Sequence, residues 1–406
     1  MTEESLPPLT ERLSALRWLR QNLFSSWGNS LLTVLAAWLL WVSGKSLLIW
    51  TFVDARWQVV AANLRLLLIG QYPAEQAWRL WISMLLLIFL TGNSLGLWTK
   101  SRKFLAALAI FPLALALIPF EMEQRLWLLG LALAGALGWL AGHSAGARTS
   151  SRSGTSRAFE NVVIVGWLIW IPIFILLLRG LTLEGEGWMP LVTTNLWGGL
   201  LLTFLLTIVA IVVSFPLGVL LALGRRSELP VVRWFSIGYI ELVRGVPLIA
   251  VLFMAQLMLP LFLPAGVTVD RVLRAAVGIT LFSAAYLAEN VRGGLQAIPK
   301  GQFEAAYALG LGGFQTMLFI ILPQALRLII PILVGQFIAL FKDTALVSIV
   351  GLFDLLGIAK TVLAQPEFLG YQREVYAFIS LLYWVISYGM SYLSQQLEIA
   401  LNVGKR

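Results

Sequence analysis

The sequence predicts an all-α integral membrane protein with about ten transmembrane helices. Three observations carry that prediction. Apolar residues fill 59% of the 406 positions and charged residues only 12%, about half the usual charged share of a soluble domain. The apolar residues gather in runs long enough to cross about 30 Å of hydrocarbon, which takes about 20 helical residues. The 17 tryptophans suit a chain with many water–lipid boundaries, where indole rings settle.

Ten runs qualify, in chain order 27–53, 80–98, 104–120, 126–142, 161–180, 196–223, 234–261, 271–297, 323–343 and 375–398. Runs holding Gly and Pro, such as Phe215-Pro216-Leu217-Gly218, remain candidates because neighbouring helices re-satisfy the backbone. The segment before the first run is polar and amphipathic. It lacks the apolar stretch and cleavage site of a signal peptide, so the first run is expected to stay as an anchor.

Basic residues orient the chain. With the N-terminus inside, the inner segments carry Arg12, Arg17, Arg20, Lys100, Arg102, Lys103, Arg148, Arg152, Arg157, Arg225, Arg226, Arg233, Lys300, Lys405 and Arg406. The outer segments carry Arg56, Arg65, Arg79, Arg125, Arg179, Arg271, Arg274, Lys342, Lys360 and Arg373. The inner charges cluster in short loops, where the positive-inside rule is strongest, so both termini are expected in the cytoplasm. The outer segments 54–79 and 344–374 are long enough to hold amphipathic or apolar pieces of their own.

This topology accounts for the net charge of +9. No RNP-like or helix-turn-helix context accompanies it, so nucleic acid is not an expected partner. Cysteine is absent, which excludes disulfides, thiolate metal sites and a cysteine nucleophile. The lone His143 cannot build a zinc site; beside Arg148 in a Gly/Ala/Ser stretch it reads as a solvated loop residue. No metal site is expected.

The most polar internal stretch, 143–160 (HSAGARTSSRSGTSRAFE), reads as a flexible cytoplasmic linker. It divides an extension at 1–142, with four runs, from a block at 161–406 with six. The extension is poor in internal ionisable residues, and its expected role is packing toward lipid. In the second block, charges fall inside or at the ends of apolar stretches: Glu241 and Arg244, Glu289 and Arg292, Lys342 and Asp343. An ionisable group in a span costs several kcal/mol unless paired or facing a cavity, so each is a functional candidate. The first two pairs are spaced i, i+3, and mutual neutralisation on one helix is the competing reading.

The segment Lys300–Pro323, KGQFEAAYALGLGGFQTMLFIILP, lies between two runs on the inner side. Glu304-Ala305-Ala306 is followed after three residues by Gly310, and nine residues further by Ile320, Leu322 and Pro323. Its Ala-rich first part favours a short helix with Glu304 in the first turn, and Gly310 permits a turn after it. An ordinary interfacial helix is the bland alternative. The spacing resembles the EAA signature, EAA-x3-G-x9-I-x-L-P, of permeases in bacterial binding-protein-dependent ABC importers, with every signature position filled.

The resemblance extends over about 190–400. Trp197-Gly198-Gly199-Leu200 with Thr203, Phe215-Pro216-Leu217-Gly218, Leu221–Arg226, Glu241–Leu248, Ala285–Ile298 and Phe341–Val347 look like successive motifs of polar-amino-acid permeases. The N-terminal extension and Leu259-Pro260-Leu261-Phe262-Leu263-Pro264 resemble the larger, M-type permeases of general L-amino-acid importers. Asn290 departs from the pattern, standing where many relatives place an apolar residue.

The resemblance implies a type I importer core in the bacterial inner membrane, with Glu304, Ala305, Ala306, Gly310, Ile320, Leu322 and Pro323 forming the loop that couples to an ATPase. It implies four partners besides membrane lipid: a second permease subunit, an ABC ATPase homodimer holding ATP and Mg²⁺, a periplasmic binding protein and an L-amino acid. No Walker sequence occurs in this chain, so no cofactor and no catalytic residue are expected in it. The substrate-pathway candidates are Glu289, Asn290, Arg292, Glu241, Arg244, Lys342 and Asp343. Glu289 is expected to meet the ammonium and Lys342 the carboxylate. An ion-coupled secondary transporter would predict repeated halves around a midplane site, and no repeat is found. A membrane-embedded enzyme would need convergent His, Asp or Ser groups, which one histidine does not supply.

Overall fold

The structure, a computed structural model, describes residues 15–98, 110, 112–113, 122–148, 155–182, 187–264 and 266–400. The chain divides into two compact units, Met1–Val59 and Val60–Arg406.

The first unit holds α1 (Ala15–Asn22) and α2 (Trp27–Ile49), which ends in a π-helical turn at Trp50–Asp54. Ser26 starts α2 by accepting the Asn29 N–H on its hydroxyl at 3.2 Å. No residue of α2 is buried within the chain, and together with the turn that follows it is long and apolar enough to cross a membrane.

Helix α3 (Gln58–Ile69) starts two residues before the second unit, which continues with α4 (Ala77–Trp98), α5 (Met122–Arg148) and α6 (Thr155–Arg179). Then come α7 (Gly199–Gly224), α8 (Pro230–Arg244), α9 (Leu248–Phe253) and α10 (Arg271–Gln296). The last four are α11 (Lys300–Ala308), α12 (Leu322–Asp343), α13 (Leu355–Leu363) and α14 (Gln372–Ala400). Among the described residues 8 helices are long and apolar enough to cross a membrane. The run 104–120 lies almost wholly outside the described residues.

The run 234–261 is not one straight span. Its halves, Pro230–Arg244 and Leu248–Phe262, are bent by 104°. Pro247 disfavours helical backbone at Val246 and caps the helix that follows. The run 323–343 belongs to a longer helical stretch, Gly313–Val350. Prolines leave their mark in two further places. Pro260 follows a π-helical turn at Met254–Met258, and Pro323 follows another at Thr316–Ile321. A proline removes the i→i−4 hydrogen bond and crowds the preceding carbonyl, and a widened turn accommodates both.

The polar stretch 143–160 does not bound a compact unit. Helix α5 runs through it to Arg148 and α6 begins at Thr155; 149–154 lie outside the described residues. His143 is therefore helical rather than in a loop, its ring stacked on Trp139 with centroids 4.7 Å apart. The small residues around it serve a close helix pair. A Cβ on Gly92 would lie 2.6 Å from Gly135 O, and Cβ atoms on Gly138 and Gly142 would strike the Phe89 and Asn93 carbonyl oxygens. Such backbone contact is how membrane helices gain van der Waals attraction where lipid offers no hydrophobic drive.

Two cores hold the second unit. One joins Leu80 of α4, Trp170 and Phe174 of α6, Leu202 and Leu206 of α7, Leu248 and Leu252 of α9, and Ile279 of α10. The extension from α4 onward thus shares a core with the block that follows it. The other is built by α7, α8, α10 and α12 around Ala222, Ile240, Leu287, Val291, Leu295, Ala325 and Ile329. It is this second core that supports the loop with the EAA spacing.

Candidate functional site

Pro299 starts α11 at Lys300, so Glu304 stands in the second turn rather than the first. The helix ends by a Schellman motif: Leu311 N–H donates to Ala306 O at 3.2 Å and Gly310 N–H to Tyr307 O at 2.9 Å. Gly310 adopts φ +80° with nothing within 4 Å of where a Cβ would sit, so its constraint is backbone conformation and not space. Ala306 is buried and Phe303 packs on the second core. The Arg226 guanidinium lies over the Phe303 ring at 6.0 Å, and Gln324 donates to Gln302 at 3.1 Å. The remaining face points outward. Glu304 and Ala305 are exposed, and Leu309 and Phe314 are 80% and 78% exposed. Of the other signature positions, Leu322 is buried in the second core and Ile320 packs against it. These two seat the loop, while Pro323, in the first turn of α12, shapes its return.

A cluster of five charges lies where α7, α8 and α10 meet. Arg225, at the end of α7, pairs with Glu241 at 3.0 Å and reaches Glu289 at 3.6 Å. Arg244 reaches Glu289 at 3.5 Å, with its guanidinium over the Tyr286 ring at 5.6 Å. Arg292 closes on Glu289 from the next turn of α10, through Nε at 2.9 Å and Nη2. The i, i+3 pairing thus holds for Glu289/Arg292 and fails for Glu241/Arg244. Helix α8 ends at Arg244, and its two charges turn to different neighbours. Three guanidiniums face two carboxylates, leaving one positive charge over.

Asn290 points to α12, donating to Gln336 Oε1 at 2.6 Å, and Gln336 donates to Ser283 O at 3.0 Å. Lys342 is exposed and Asp343 half-buried at the end of α12, with no ion pair between them among the described residues. Arg225, Gln336, Ser283 and Tyr286 were missed as site residues in the sequence. Their partners lie on other helices, and no local spacing reports that.

Beyond α12, Asp354 is fully buried. It caps α13 by accepting the N–H groups of Leu356 at 3.2 Å and Gly357 at 3.0 Å. Burial pushes its carboxyl up to about 7 against the pull of those donors and of Lys360. Leu355 N–H bonds Thr203 Oγ1 at 3.2 Å and Phe353 O accepts from Gly199 N at 2.8 Å, fastening the segment after α12 to the start of α7.

The family model for a binding-protein-dependent transport system inner membrane component matches residues 214–400, which include the EAA loop and the charge cluster. The chain is 39% identical to the inner membrane amino-acid ABC transporter permease protein YhdY of Escherichia coli K12, over 96% of this chain and 94% of that one. The chain belongs to this family of ABC importer permeases. It is 37% identical to the glutamate/glutamine/aspartate/asparagine transport system permease protein BztC of Rhodobacter capsulatus, over 97% of this chain and 95% of the relative. The shorter glutamate/aspartate import permease protein GltK of E. coli O157:H7 is 38% identical over 205 residues, 49% of this permease and 90% of its own length. The permease is a transport subunit of the inner membrane, and among its described residues eight helices are long and apolar enough to cross it.

Proposed function

We propose that this permease carries L-amino acids inward, powered by ATP and Mg²⁺ on a separate ABC ATPase homodimer that docks on the EAA loop. A periplasmic binding protein delivers the amino acid, a different permease subunit completes the pore, and both termini lie in the cytoplasm. The observation that carries the coupling role is the α11 loop. Phe303 and Leu322 fasten it to the second core and Ala306 is buried, while Glu304, Leu309 and Phe314 stand in the open. A helix rigidly held on one side, with Glu304 and Ala305 exposed on the other and Leu309 and Phe314 exposed just after it, suits a protein groove that moves it as a body. The relatives' amino-acid cargoes support the substrate class.

The charge cluster suits a zwitterion. Desolvating either end of an amino acid unpaired costs several kcal/mol. An amino acid inserted between Arg244 and Glu289 gives each a new partner: ammonium for Glu289, carboxylate for Arg244. Arg292 and Arg225 hold Glu289 in place meanwhile, and Glu241 holds Arg225. Asn290 and Arg292 lie beside this path, with Lys342 and Asp343 further along at the end of α12.

The test of coupling is Gly310→Asp. Asp at φ +80° strains the Schellman turn and places a charge at the docking face. Uptake should fall to background while the variant inserts and pairs with its sister subunit. Substrate-stimulated ATPase equal to wild type in the assembled complex would overturn the coupling role.

A further inference from the structure

Arg79 is the third residue of α4 and is completely buried. A 3-10 turn at Ala74–Gln76 runs directly into α4, and helical side chains lean back toward the N-terminus, so the Arg79 side chain lies toward that turn. One nitrogen is used: Nη1 donates to Pro190 O at 3.0 Å. Nε and Nη2 have no acceptor. No carboxylate lies within ion-pairing distance of Arg79 among the described residues. The Trp78 ring, 5.9 Å from the guanidinium carbon, is the neighbour that eases its charge. The Tyr72 hydroxyl lies within hydrogen-bonding reach of the guanidinium, but it donates to Leu178 O at 3.1 Å, it is not a well-aligned acceptor for Nε or Nη2, and a neutral phenol carries no counter-charge.

The two orphan nitrogens belong to one edge of the guanidinium, whose N–H bonds run nearly parallel, so a single acceptor can satisfy both. A buried cation left without counter-charge is among the costliest groups in a fold. Gln76, one turn earlier, also buries a side-chain oxygen with no partner. An amide is readily reversed, and the reversed group would turn N–H donors where that oxygen now lies.

We infer that the free edge of Arg79 binds a small monovalent anion of the halide class, at the junction of α4 with the segment around Pro190. Complete burial excludes a lipid headgroup, and the single positive charge matches one negative charge. A water bridging Arg79 to Gln76 would satisfy hydrogen bonds but leave the charge uncompensated. The anion would fasten the N-terminal extension to the segment between α6 and α7.

The test uses the full chain in lipid nanodiscs at constant ionic strength, replacing sodium gluconate by sodium chloride or bromide. Wild type should gain a saturable rise in Tm of about 2 °C with either halide, and Arg79→Gln should show none. Bromide-soaked wild-type crystals should give an anomalous peak within hydrogen-bonding reach of Nε and Nη2. Equal Tm in gluconate and chloride, the same halide response in Arg79→Gln, or no bromide peak at Arg79 would each overturn the site in favour of water. Should Arg79→Gln fail to fold, the bromide map of the wild type decides.

Discussion

Glu289 meets three arginines at once, and that fixes what its replacement should do. Glu289→Gln keeps the shape and removes the charge. We expect the transport constant for amino acid to rise about tenfold or more, with assembly and basal ATPase intact. Unchanged uptake kinetics would sink the binding role, and loss of the folded complex would assign the cluster to structure. Asp354 makes a second, independent prediction. Its folded value of about 7 lies above the unfolded carboxylate value of about 4. The protonated form therefore stabilises the fold fully below about pH 4, and that contribution fades as pH rises to about 7, by as much as about 4 kcal/mol. Thermal melts of wild type against Asp354→Asn should diverge over that window and run parallel above it; curves parallel throughout would contradict the burial argument. Four of the cluster's five charges, Glu241, Arg244, Glu289 and Arg292, were legible in the sequence because ionisable residues in apolar runs announce themselves. Their partners were not: Arg225 and Glu241, or Asn290 and Gln336, meet only after helices pack.

Among elements, the long spans were legible from length and apolarity, and the EAA loop from its spacing. Two features were not. The break at Gly245–Pro247 lies inside an apolar run, and composition cannot distinguish a bent pair from a straight span of equal length. The α4–α5 pair presents the opposite case. The stretch from His143 on reads as flexible linker, whereas α5 continues through it to Arg148, and just before it Gly138 and Gly142 bring two backbones into contact. Gly142→Ala drives a Cβ into the Asn93 carbonyl oxygen, whereas Gly130→Ala meets only the Leu85 side chain at 3.6 Å. The first should cost about 1–3 kcal/mol and lower the Tm in nanodiscs, and the second should change it little. Equal melts would refute the close pair.

For the whole molecule, orientation rests on charge bias and the EAA loop together. Because the chain has no cysteine, Glu304→Cys supplies a single reactive thiol. It should label with an impermeant reagent only in inverted vesicles, and labelling of intact spheroplasts from outside would reverse the topology. The central claim is that ATP, and not an ion gradient, drives this permease. The direct measurement is amino-acid uptake into proteoliposomes holding the permease, its sister subunit, the ATPase and the binding protein. Uptake should require ATP, stop with vanadate and continue with an uncoupler present. Uptake that survives vanadate and collapses with the uncoupler would contradict the account.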